Sequence, residues 1–285
     1  MDEYFRVVEI GATQLRRADV NANNNEVMNL NTRKTREVLQ TDPITNLLNF
    51  IKGSGLIQET RAIIIAIAGP VEDHKIIKIM PNFPEFPENY NLAQTIGETF
   101  SLPVFIYNDM ESAVAGMAET LEKTQEFKGK FWGITWSSGV SAKFWDNGIT
   151  INREPGHEIK IEGKEAEDHL GGVKMAESLN KTLEETTQAF EQDEDWAIDF
   201  YEKKSVIMGE FLAELVKIAE PELFCFKGSI ALNLFKHEKI KKIVLDSLNK
   251  NNQKQFVLDC LVLSPEPDQD GLIGAANLAR TSLAQ

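Results

Sequence analysis

Residues 4–20 read YFRVVEIGATQLRRADV, and the fold turns on how that stretch is parsed. Tyr4 to Ile10 reads as a strand, Gly11-Ala12-Thr13 as a tight turn of small residues, and Leu15 to Val20 as a second strand. The protein therefore opens on a hairpin. A turn of small residues between strands exposes backbone N–H groups and a hydroxyl, one way to cradle a phosphate; the same residues also make an ordinary hairpin turn.

Beyond the hairpin, Asn21 to Asn25 is a turn, Val27 to Thr35 supplies a third strand, and Asp42-Pro43 starts an amphipathic helix. Ile63 to Ala68 is apolar on both faces and stops at Gly69-Pro70, the pattern of a buried parallel strand. A short edge strand near Ile76 to Met80 and a proline-rich loop over residues 81–90 lead to a helix over Leu92 to Phe100. A further buried strand, Val104 to Tyr107, ends at Asn108-Asp109. After a helix through Ala113, Met117 and Leu121, Phe131 to Trp136 and Val140 to Trp145 form a new pair of strands around Ser137-Ser138-Gly139. The pattern restarts there, so a second domain is expected to begin between Asp109 and Gly129. Trp196, Phe200, Ile207, Phe211, Leu215 and Ile218 mark one buried stripe of a long helix. Leu223 to Phe226 and Phe256 to Leu263 supply late strands, and Gly271 to Leu283 a final helix.

The 285 residues carry 30 Lys and Arg against 44 Asp and Glu, a net charge of −14 that repels polyanions, so no nucleic-acid partner is expected. Between Glu154 and Lys204, 15 acidic residues face six basic ones, the composition of solvated helix faces. The longest strongly apolar stretch, Ala62 to Ala68, is far short of the ~20 residues that cross a bilayer, and no membrane partner is expected. Cys225 and Cys260 alone build neither a disulfide framework nor a four-cysteine zinc site. The acidic start, Met1-Asp2-Glu3, lacks the features of a secretory signal, and a cytoplasmic location is the expectation.

Two further groups carry chemistry. Asn108-Asp109 lies at the C-terminal end of a buried strand, where ligands gather in open α/β sheets; Asp109 there reads as a general base, a helix cap, or both. Glu154-Pro155-Gly156-His157, followed by Glu167, offers acceptors and a donor suited to a polyhydroxylated ligand. His157, Glu167 and His169 could also ligate a metal, although their spacing is not that of a zinc site.

In this order the pieces resemble the ROK family of sugar kinases, glucokinase-like members of the sugar kinase, actin and Hsp70 superfamily. The family's Asp-x-Gly-Gly-Thr phosphate loop is similar to Glu9-Ile10-Gly11-Ala12-Thr13, its Gly-Pro-Val matches Gly69-Pro70-Val71, and its Asn-Asp matches Asn108-Asp109. Its second phosphate segment looks like Ser137-Ser138-Gly139-Val140-Ser141, and its Glu-x-Gly-His sugar motif is met by Glu154, Gly156 and His157. Its later Glu falls on Glu167, with Gly171-Gly172 in place of Ser-Gly. Phe224 to Ile230 and Gly271 to Ala276 echo the adenosine-side strand, glycine cluster and final helix. The departures lie on the nucleotide side: Glu9 for Asp, Ala12 for the second Gly, Ser138-Gly139 for Thr-Gly, and a cluster thinned to Lys227-Gly228-Ser229.

The resemblance implies an α/β protein of two RNase H-like, actin-like ATPase lobes with an interdomain cleft, residues 1–108 with 271–285 forming one lobe and 109–270 the other. It implies ATP-dependent phosphorylation of a hexose or N-acetylhexosamine hydroxyl, with ATP and Mg2+ as cofactors. Asp109 would be the base, and Asn108, Asp109, Glu154, His157 and Glu167 would hold the sugar. Gly11, Ala12, Thr13, Ser138, Gly139 and Gly228 would line the nucleotide, with Glu9 near Mg2+. Many family members carry a zinc site built from cysteines, and residues 158–166 have none, so no structural zinc is expected and a short loop must hold Glu167 by other means. A homodimer is implied. A non-catalytic sugar-binding protein with a degenerate nucleotide site is the alternative. A ROK-type repressor is disfavoured, because the kinase pattern begins at residue 4 and leaves no room for a helix-turn-helix domain.

Overall fold

The computed structural model describes residues 2–80, 83, 85–124, 128–151 and 153–284. The chain divides into two compact units, Met1–Glu119 with Asp268–Gln285, and Thr120–Pro267. The first contains β1 (Tyr4–Ile10), β2 (Gln14–Asn21), β3 (Val27–Lys34), α1 (Thr35–Leu39), α2 (Pro43–Lys52), β4 (Thr60–Ile67), β5 (Val71–Glu72), β6 (Ile76–Ile77), α3 (Leu92–Phe100), β7 (Val104–Asn108) and most of α4 (Asp109–Thr124). The second contains β8 (Lys130–Trp136), β9 (Val140–Asp146), β10 (Ile149–Thr150), α5 (Pro155–Glu158), β11 (Lys160–Ile161), β12 (Lys164–Glu165), α6 (Ala166–Leu170), α7 (Gly172–Glu177), α8 (Leu183–Glu191), α9 (Asp195–Ile218), β13 (Leu223–Lys227), α10 (Ser229–Leu234), α11 (Glu238–Lys250) and β14 (Leu261–Leu263). The chain then returns to the first unit as α12 (Asp270–Leu283).

Each unit is built on one five-stranded sheet, in the orders β3-β2-β1-β4-β7 and β10-β9-β8-β13-β14. In both, a hairpin comes first and two parallel strands are added on the far side of its first strand. The two sheets thus repeat one topology, the expected pair of RNase H-like lobes.

Side-chain alternation explains why β4 is apolar on both faces. Ile63, Ile65 and Ile67 of β4 join Leu47, Ile51, Leu92 and Ile96 of α2 and α3 in one core. Ala62, Ile64 and Ala66 face the other way, onto Leu272, Ala275, Ala276 and Ala279 of α12. The small residues let that helix come close. A Cβ at Gly274 would lie 1.8 Å from the Ser112 carbonyl oxygen, and one at Gly116 would lie 2.0 Å from that of Asp270.

A charged pair is buried in this unit. Arg6 of β1 meets Asp19 of β2 at 2.7 Å and donates to the carbonyls of Ile51 and Gly55, so it answers backbone acceptors at the C-terminal end of α2. The turn between β5 and β6 covers the outer edge of β7, where Ile106 N–H donates to the His74 carbonyl at 2.9 Å.

Two expectations are corrected. The strand read over Ile76 to Met80 is a two-residue partner of β5. The strand read over Phe256 to Leu263 is confined to Leu261–Leu263, with Leu258–Cys260 a 3-10 turn. Asn249 holds Phe256 out of the sheet, accepting from its N–H at 2.8 Å and donating to its carbonyl at 3.0 Å. Of the proline-rich loop, Pro81, Asn82 and Pro84 lie outside the described residues.

Candidate functional site

The candidate residues of the first unit sit at the C-terminal ends of its parallel strands. Glu9 is the penultimate residue of β1, one residue before the turn, and Asn108-Asp109 marks the passage from β7 to α4. In the Gly11–Thr13 turn, Gly11 N–H donates to the Gln14 carbonyl at 3.0 Å, while Thr35 ties the turn down from behind through the carbonyls of Gly11 and Thr13. Ala12 does not adopt a positive φ, so its methyl imposes no backbone strain. The altered loop keeps a regular hairpin.

Asn108 is the helix cap. Its Oδ1 accepts from Met110 and Glu111 N–H at 3.0 and 3.2 Å, and its Nδ2 donates to the Gly69 carbonyl at 3.1 Å, tying β7 to the Gly69-Pro70-Val71 segment. Asp109 Oδ1 also accepts from Met110 N–H, at 2.9 Å. Capping at this helix start is therefore led by the asparagine.

Glu9 is not alone at the loop. Arg16, its cross-strand partner in the hairpin, approaches Glu9 Oε2 at 3.4 Å and donates to the Asp268 carbonyl at 2.9 Å. The Glu9 carboxylate lies over Gly271, where a Cβ would come within 2.5 Å of Oε1. Among the described residues no group of three His, Cys, Asp or Glu is placed to hold a metal ion. Mg2+ is commonly held by one or two carboxylates together with substrate phosphates, so a single carboxylate fits that role, in competition with the Arg16 guanidinium.

In the second unit, the Ser137–Val140 turn between β8 and β9 is the organising feature. Gly172 and Val173 N–H donate to the Ser137 and Ser138 carbonyls, both at 2.9 Å, fastening the start of α7 to the turn. Glu167 Oε2 accepts from Val140 N–H at 2.7 Å. Its carboxylate fits because Gly139 and Gly171 lack side chains: a Cβ at either would stand 3.0 or 2.5 Å from Oε1. Burial holds the Glu167 carboxyl above the usual carboxylate range, opposed by the Val140 hydrogen bond and the His157 charge. A residue read for sugar and a turn read for phosphate are thus in direct contact.

The sugar motif is pinned to the same strand. Gly156 lies against β9, where a Cβ would come 2.4 Å from the Val140 carbonyl, and Glu154 and His157 flank it on the surface. The loop that must hold Glu167 is the β11–β12 hairpin, which turns at Glu162 and Gly163 with φ of 51° and 82°. His169 Nε2 donates to the Ile161 carbonyl at 2.9 Å and Ala166 N–H to that of Ile159, joining α6 to the hairpin. Gly228, at φ 97°, tucks under the end of β8, where a Cβ would lie 2.5 Å from the Trp136 carbonyl. Lys227 before it is buried, in register with Thr135, itself paired with Ser141.

The structure therefore gathers Glu154, His157, Glu167, Ser138, Gly139 and Gly228 in one unit and Glu9, Gly11, Ala12, Thr13, Asn108 and Asp109 in the other. Arg16 and Glu165 were not anticipated. Arg16 was open to discovery by counting the hairpin register outward from the turn. Glu165, which pairs with His157, was hidden by a hairpin too short and polar to show a strand pattern.

The profile of the ROK family matches residues 6–158 and 169–282. No curated protein sequence matches the chain. Among solved structures, a ROK family glucokinase from Streptomyces griseus, in complex with glucose and AMPPNP, shares 17% identity at a TM-score of 0.78, covering 98% of this chain and 99% of that one. The ROK hexokinase from Thermus thermophilus shares 18% identity at 0.75, covering 100% and 99%. A ROK family transcriptional regulator, a homolog of the E. coli MLC protein, shares 19% at 0.77, covering 98% of this chain and 78% of that one. These likenesses establish two RNase H-like lobes of the actin-like ATPase fold, and the extent of the family match establishes that the chain belongs to the ROK family.

Proposed function

We propose that the protein is an ATP-dependent sugar kinase acting on a hydroxyl of a hexose or N-acetylhexosamine. The observation that carries this reading is the division of labour at the end of β7: the Asn108 amide takes the leading part in capping α4, and it sets the Asp109 carboxylate beside it at the C-terminal end of a parallel strand. In the reaction, Asp109 accepts the proton of the attacking hydroxyl, the sugar oxygen bonds to the γ-phosphorus, and the bond from that phosphorus to the bridging oxygen breaks, releasing ADP. Asn108, Glu154, His157 and Glu167 hold the remaining hydroxyls. Gly11, Ala12, Thr13, Ser138, Gly139 and Gly228 contact the nucleotide, and Glu9 stands near Mg2+, which neutralises phosphate charge when bound. The ligand set is shared by glucose, N-acetylglucosamine, N-acetylmannosamine and fructose.

A second reading has its own observation. The Arg16 guanidinium lies 3.4 Å from Glu9 Oε2, so a cation held by that carboxylate would have to compete with it, which favours a sugar-binding protein with a weakened nucleotide site. A coupled ADP-release screen of the four sugars with Mg-ATP separates the two. Turnover with one of them supports the kinase; sugar binding without turnover supports the alternative. Sedimentation measurements test the homodimer that the family resemblance implies.

A further inference from the structure

His157 closes the Glu-x-Gly-His motif, and its ring makes a hydrogen bond among the described residues: Nδ1 lies 3.0 Å from Glu165 Oε2. Glu165 is the last residue of β12, brought eight residues back to His157 by the Glu162-Gly163 turn. Both side chains are well exposed, at 64% for His157 and 44% for Glu165. An ion pair so open to water contributes little to stability, so stability alone gives no reason for its geometry.

We propose that Glu165 is a positioning residue for His157, fixing the ring so that Nε2 faces the bound sugar; this rests on the sugar-site reading above. A carboxylate on Nδ1 places the proton of the neutral ring there and leaves Nε2 as an acceptor for a sugar hydroxyl. When the ring is protonated, Nε2 becomes a donor on the same line. The hydrogen bond to Glu165 raises the His157 pKa, with smaller contributions in the same direction from Glu167 and Glu154 and opposition from burial. The charged groups acting on the ring are thus Glu165 of β12, Glu167 of α6 and Glu154 of its own segment, all acidic. Arg153 is engaged by Glu158, and Lys143 of β9 acts on Glu158 as well.

The test is Glu165→Gln, which keeps shape and removes charge. The ring resonance of His157, one of four histidines, is assigned with His157→Asn and titrated by NMR without ligand. Calorimetry with glucose, N-acetylglucosamine, N-acetylmannosamine and fructose is run across pH. Glu165→Gln is expected to bring the His157 titration down toward the ordinary value of 6.5. It is also expected to weaken the bound sugar about tenfold, the scale of one lost hydrogen bond to a charged group, and to displace the pH profile of binding with the titration. In a His157→Asn background the same change is expected to cost nothing further. An unmoved titration overturns the pairing. A moved titration with unchanged sugar affinity, or an undiminished loss in the His157→Asn background, overturns the positioning role. If wild type binds none of the four sugars, the sugar-site reading and the positioning role both fall, and the titration shows whether the ion pair stands without them.

Discussion

Asn108 and Asp109 are adjacent, chemically similar and placed at the same helix start, yet the hydrogen bonds sort them. Asn108→Ala removes the oxygen that accepts from two backbone N–H groups and should cost about 1 kcal/mol of stability, read by urea denaturation. Asp109→Ala should still fold and should lower turnover by at least ~10²-fold, read by ADP release. Full turnover in a folded Asp109→Ala protein would remove it from the reaction. Glu167 makes the opposite trade. Because burial raises its folded pKa, the folded protein holds that proton more tightly than the unfolded chain does. The resulting stability is fully present below the ordinary carboxylate range and is lost as pH rises through the raised folded value. Glu167→Gln should therefore raise the melting temperature at pH 7 to 8, change it little near pH 4, and weaken sugar binding. A melting temperature lowered at pH 8 would show that the Val140 hydrogen bond outweighs the buried charge.

Among elements, the β11–β12 hairpin carries more of the site than its four strand residues suggest, since Glu165, His169 and the approach to Glu167 all depend on it. Gly163 sits at φ 82°, so Gly163→Ala should cost roughly 1 kcal/mol through backbone strain. Its larger effect should be on sugar affinity measured by calorimetry, with Mg-ATP affinity preserved; equal losses in both would show general unfolding. Elements of this kind are where sequence and structure part. The apolar strands β1, β4 and β7 and helix α3 were legible within a few residues, because burial of one or two faces imposes a period. Helix α9 was legible as a long helix, but its buried face runs through Ala197, Tyr201, Met208, Leu212 and Leu215, and of the stripe read from the sequence only Phe211 and Leu215 are fully buried. A two-residue strand with lysine and glutamate imposes none. Phe256 failed for another reason: an apolar residue buried by a loop looks, in sequence, like one buried by a sheet. The candidate residues were proposed from their order along the chain, which resembles a family, whereas their hydrogen-bond partners depend on register and turn geometry.

Over the whole molecule, one topology occurs twice with no convincing repeat in the sequence, since a sheet order is kept by apolar alternation that many residues satisfy. The last helix is what makes the first unit discontinuous. Leu272, Ala275, Ala276 and Ala279 cover one face of its sheet. A chain ending at Pro267 should leave that face bare, with loss of cooperative melting and rapid proteolysis of residues 1–119. Retention of a sharp melting transition for that segment would show that α12 is dispensable.

The same discontinuity has a consequence at the ribosome. Val7, Ile64 and Ala66 are translated early, but the helix that shields them is made last, after Thr120–Pro267, 148 residues, has been added. At ~5–20 residues per second that interval lasts roughly 7–30 s. For that time the nascent first half exposes a sticky apolar sheet while the second half, continuous in sequence, is free to fold behind it. Maturation in the cell should then depend on a holding chaperone more strongly for the first half than for the second, and slow codons placed late in the message should lower the yield of soluble protein.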